Sequence, residues 1–112
     1  MFTKEYEQLD IYEKRITTDQ AIELVLFNKD LEHWLELLTG AFGPAIKPSG
    51  VKPSREDQAV TRKYGGIRAD QTLFKSNDDH MCVIAMLWPW LSAEYTTLKV
   101  FLTGREQAPR RD

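Results

Sequence analysis

The stretch TTDQAIELVLFNKD at residues 17–30 decides how the chain is read, because it opens on a helix-capping signature and continues as an apolar run that fits two periods. Thr17-Thr18-Asp19-Gln20 matches a capping box, in which the Thr17 hydroxyl accepts from the third helical amide while Gln20 reaches back to the cap. Downstream, Ala21, Leu24, Phe27, Leu31, Trp34, Leu35, Leu38 and Phe42 recur at three- and four-residue spacing, and Gly40 with Gly43-Pro44 supplies the stop. This spacing predicts one long helix over 18–39. The rival takes residues 22–27 as a short buried strand, with Asn28 or Asp30 capping a shorter helix.

Working toward the N-terminus, Phe2, Tyr6, Leu9, Glu13 and Ile16 fall on one helical face, interrupted only by Glu13, so a first helix is predicted over 3–16. A strand over 11–16 is the competing reading. Toward the C-terminus, GPAIKPSGVKPS at residues 43–54 holds three prolines and two glycines, which remove backbone donors and set φ at intervals; this is a loop. Ser54-Arg55-Glu56-Asp57 is a second capping signal, opening a short helix over 55–63 that Gly65-Gly66 ends. The remainder reads as a meander with strands over 67–75, 80–88 and 95–102, joined by a turn at 76–79 and a connection around 89–94.

The expected fold is therefore α+β: N-terminal helices packed on a C-terminal three-stranded antiparallel β-meander, with a basic Pro/Gly-rich loop and a short helix between. Residues 1–103 form one domain in this reading, and 104–112 a flexible tail. A chain of 112 residues with five Phe, four Tyr and three Trp can build one core, and is too short for two domains. Cys82 is the single cysteine, so no internal disulfide forms, and no zinc-ligand spacing occurs. The opening MFTKEYEQLD lacks the basic and apolar regions of a signal peptide, and the apolar run 81–91 is interrupted by Pro89 and falls short of the ~20 residues a helical span needs. A cytoplasmic protein with no membrane partner is expected.

The apolar segment 80–88 carries the functional expectation. In a strand, His80, Cys82, Ile84, Met86, Trp88 and Trp90 share one face, and Met81, Val83, Ala85, Leu87 and Leu91 the other. Both faces are apolar. Either helices cover both, or the second face is a dimer interface or the floor of a ligand pocket. Charge is also segregated. Residues 1–43 hold four bases and nine acids, residues 44–76 hold seven bases and three acids, and the net charge of the whole chain is −2. An anion would be drawn to the middle segment, although a basic loop can equally lie across an acidic helix. The overall balance, and a basic stretch with only Tyr64 interleaved, argue against nucleic acid. The loop also lacks the glycine and lysine spacing of a nucleotide-binding turn.

These observations do not assign an activity. They favour a small non-enzymatic binding or assembly module that self-associates through the second face of the sheet. Its site for an anionic small molecule or an acidic protein partner is formed by Lys47, Lys52, Arg55, Tyr64, Arg68, Trp88 and Trp90, with no cofactor and no metal. The alternative is a small hydrolase or isomerase acting on an anionic metabolite, with Asp78, Asp79 and His80 as acid/base or metal-binding groups. Asn77-Asp78-Asp79 is also what a tight turn prefers.

Overall fold

A computed structural model describes residues 10–18, 20–77 and 82–104. The chain forms a five-stranded antiparallel sheet: β1 (Ile11–Thr17), β2 (Ala21–Phe27), β3 (Thr72–Asn77), β4 (Cys82–Pro89) and β5 (Tyr95–Gly104), in the order β1-β2-β5-β4-β3. Two short helices, α1 (Leu31–Phe42) and α2 (Arg55–Thr61), accompany it. This corrects the expectation of N-terminal helices on a three-stranded meander. The meander is present as β3-β4-β5, but the N-terminal segments join the same sheet as a hairpin laid on β5. The two rival readings, strands over 11–16 and 22–27, describe the fold.

The physical reason lies in residues 17–30. A seven-residue segment apolar but for Glu23 satisfies a helical spacing and a strand equally well, and here β5 offers β2 an unbroken partner from Ala21↔Phe101 to Phe27↔Tyr95. The Thr-rich signature then serves a turn and not a cap. Thr18 N–H donates to the Ala21 carbonyl at 2.9 Å, and Thr18 Oγ1 accepts from the amides of Gln20 and Ala21 at 3.2 and 3.0 Å. Threonine hydroxyls close turns by the same local bonds that cap helices.

Helix α1 follows a single 3₁₀ turn, Asn28–Asp30, and buries Trp34 and Leu38. They pack with Leu24, Leu26, Phe74, Ala85, Leu87, Leu98 and Val100 on the first face of the sheet. Gly43, at φ 85°, ends the helix with its N–H on the Thr39 carbonyl at 2.8 Å, a backbone conformation that favours glycine. Helix α2 starts as predicted, with Ser54 and Asp57 forming a reciprocal capping box. With the 3₁₀ turn Arg62–Tyr64, it supplies Val60 and Tyr64 to a second cluster of Ile67, Leu73, Cys82, Ile84 and Met86 on the opposite face. The apolar second side of β4 is thus covered within the chain, and its hydrophobicity alone no longer calls for a partner. No helix among the described residues is long and apolar enough to cross a membrane.

Candidate functional site

The seven residues singled out from the sequence are distributed over three places. Lys47 is fully buried, and its ammonium donates to the carbonyls of Pro48 (2.8 Å), Ala69 (3.0 Å) and Gln71. An ammonium has three donors, and all three are used. Burial lowers its pKa from the ordinary 10.5, with Asp57 and Asp70 pulling the other way. Around it the backbone is pinned to the outer edge of β3, as the Ile46 and Lys47 amides donate to the Leu73 carbonyl and the Leu73 amide donates to Lys47. Gln71 closes the preceding turn by accepting from the Arg68 amide at 2.8 Å, so the strand begins at Thr72 and not at residue 67. Lys47 is a fastener of the basic loop.

Lys52 is exposed and lines a cleft of about 530 Å³ in which Lys47, Lys52 and Lys75 face Glu56 and Asp57. Arg55 is the exposed first residue of α2, and exposed Arg68 lies 3.6 Å from Asp70. Tyr64 stacks on Phe101 with centroids 4.2 Å apart, in the second-face cluster beside Trp88. Asp78, Asp79 and His80 lie outside the described residues. Among the described residues no group of three His, Cys, Asp or Glu is placed to hold a metal ion.

Trp88 and Trp90 both reach the second face, and they part there. The Trp88 ring lies against Gly65, and Lys99 Nζ sits 3.6 Å from its centroid. Trp90 instead turns over β5, donating from Nε1 to Thr97 Oγ1 at 2.8 Å. Thr97 and its β2 neighbour Val25 are buried although no helix among the described residues covers this half of the face. Side chains do the covering. Arg15 lies 5.6 Å from the Trp90 ring and pairs with Glu23 and Glu13, both at 3.4 Å. Tyr95 meets Trp90 at 5.2 Å, Phe27 at 5.8 Å and Tyr12 at 4.3 Å, which makes a continuous aromatic wall. Each indole on this face therefore carries a cation, a contact worth ~0.5–1 kcal/mol at exposed sites.

Two irregularities in β1 build the wall. Register shifts between Ile11 and Glu13 and between Lys14 and Ile16 break the strand's alternation, and Tyr12 and Arg15 both reach second-face residues. Bulges re-aim side chains in this way. The other end of the wall hangs on the β4–β5 turn. There Ala93 adopts φ 65° while its carbonyl accepts from Asn28 Nδ2 at 3.0 Å, and Thr96 Oγ1 donates to Asn28 Oδ1 at 2.6 Å. Asn28, one of the two cap candidates of the rival reading, ties this turn to the start of α1.

Of the groups in this wall, the sequence reading put Trp88 and Trp90 in the site and Tyr95 and Phe101 only on the surface beside it. Tyr95, Thr97, Lys99 and Phe101 were accessible to a period-two reading of β5. Tyr12 and Arg15 were not, because a bulge erases the period that would reveal them.

The wall has a titration signature. Tyr95 has its pKa raised above the ordinary 10.0 by burial of the hydroxyl, and further by Tyr12 and Glu94. Because the folded value lies above the unfolded one, the stabilisation this group gives is present below pH 10 and is lost as pH rises through the folded value. An absorbance titration of the native protein is expected to show a late tyrosine step that Tyr95→Phe removes and that Tyr12→Phe moves to lower pH.

Compared with protein-family models, curated proteins and solved structures, the chain matches none.

Proposed function

We propose that this chain is a non-enzymatic binding or assembly module whose working surface is the half of the second face that α2 leaves uncovered. The partner it suits carries a flat apolar group beside an acid, the first for the aromatic wall and the second for Lys99 or Arg15. The single observation that supports this reading most is that Trp90, in the half of the face without a helix, is topped by Arg15, while Lys99 lies over the neighbouring Trp88 ring. Tyr12 is 50% exposed and Ile16 40% exposed beside them, so apolar surface is available at the rim.

Anilinonaphthalene sulfonate, a planar aromatic anion, serves as the probe. Saturable binding to the folded protein is expected, with near-ultraviolet circular dichroism unchanged on addition. Lys99→Glu should weaken it roughly tenfold or more, since a hydrogen bond to a charged group is worth ~1.5–3 kcal/mol. His80→Ala should leave it unaltered. Binding that ignores Lys99→Glu, or that fails with His80→Ala, would move the working surface elsewhere.

A further inference from the structure

The bulges of β1 do more than complete the wall. They bring an acid and a base into one ion-pair cluster on the second face, Glu13 and Arg15, between the two exposed apolar side chains of the strand, Tyr12 and Ile16. Read along the strand, this strip runs aromatic, acid, base, aliphatic. Read in reverse it is its own complement. A two-fold axis laid across it sets Tyr12 against Ile16 of a second copy and Glu13 against Arg15, twice over, and self-complementarity of this kind is what an isologous contact requires. Lys14 pairs with Leu24, a first-face residue, so the like-charged pair at the centre of the axis stays out of the contact.

We infer that the β1 strip is a self-association site whose occupant is a second copy of this chain, the two strips meeting antiparallel through their side chains. The inference rests on the proposed working surface, and it names the partner. Glu13 of the second copy is the acid set against Arg15, and its Tyr12 meets the exposed Ile16 at the rim of the same surface. The same bulges disturb the regular backbone edge, which works against an extended β-ladder between copies and leaves the side chains as the contact. The glutamate–arginine pairs add orientation and a salt dependence more than raw affinity.

Sedimentation velocity over a concentration series tests this. The wild type is expected to show a reversible monomer–dimer equilibrium that weakens as salt is raised. Glu13→Arg and Arg15→Glu should each sediment as monomers, because each substitution creates two like-charge pairs across the axis. Their equimolar mixture should dimerise again, since the first variant then presents arginine at both 13 and 15 and the second glutamate at both, so each of the two cross-axis pairs is oppositely charged. Ile16→Glu, which leaves every ion pair intact, should also be monomeric. A wild type that stays monomeric at all concentrations overturns the inference. So do single variants that dimerise like the wild type, or a mixture that stays monomeric. The probe titration separates the two readings. Lys99-dependent probe binding by a monomeric wild type leaves the working surface standing and removes self-association, whereas a charge-matched dimer that binds no probe does the reverse.

Discussion

Lys47→Met is expected to lower the folding free energy by about 3 kcal/mol, seen as a fall of roughly 10–20 °C in the thermal midpoint. Methionine nearly preserves the volume, so the loss comes from the carbonyls of Pro48, Ala69 and Gln71, which give up a charged donor in a place water does not reach. Two of them keep a backbone partner, as Val51 N–H donates to Pro48 and Gly50 N–H to Ala69, and this is why the expected loss is not larger. Arginine is no rescue. A planar fork does not match three carbonyls converging on one nitrogen, so Lys47→Arg should also be destabilised. Lys52→Met, on the exposed side of the same loop, should stay within about 0.5 kcal/mol of wild type. Denaturant unfolding of the three variants measures this. A Lys47→Met protein as stable as the Lys52→Met control would mean that the desolvation cost of the ammonium cancels its hydrogen bonds. Hydrogen exchange supplies the local readout, since the Gly50 and Leu73 amides that tie the loop down should exchange faster once the ammonium is gone.

Gly65→Ala is expected to cost about as much, by a different route. A Cβ at this position would lie 2.6 Å from Cη2 of Trp88, closer than packed atoms tolerate, on a backbone at φ 106°. Overpacking of this kind costs ~1–3 kcal/mol, and a left-handed conformation adds ~1–2 kcal/mol for a residue with a side chain. Gly66 separates the two contributions. It has φ 80° but nothing nearer than 4.0 Å, so Gly66→Ala should show the backbone cost alone, about 1 kcal/mol. Equal losses in the two variants would show that the Trp88 contact contributes nothing. Because Lys99 sits on the other contact of this ring, a displaced Trp88 should also weaken probe binding in Gly65→Ala and leave it unchanged in Gly66→Ala.

Several elements were legible before the structure. The α2 capping box, the loop 43–54 and the order of β3, β4 and β5 depend on local chemistry: a serine three residues before an acid, prolines that cannot donate, and apolar runs of strand length between turn formers. The site was less legible. Trp88 and Trp90 were expected to project together, and they do share a face, yet Trp88 goes to Gly65 while Trp90 goes to Thr97. That divergence depends on a glycine 23 positions upstream in one case and on the turn held by Asn28 in the other, neither of which local spacing encodes. Lys47 looked like a ligand group because it belongs to the basic middle segment, where an anion would be drawn. Only the approach of residues 69–71 turned it inward.

By itself the sequence determined the loop over 43–54, which segments are apolar on both sides, and that an acidic N-terminal portion precedes a basic middle. Tertiary structure decided that residues 11–17 and 21–27 are strands and not helices. A seven-residue segment apolar but for Glu23 satisfies both periods, and the choice falls to whichever partner pairs its backbone; β5 does so, with hydrogen bonds that a helix would otherwise have to make for itself.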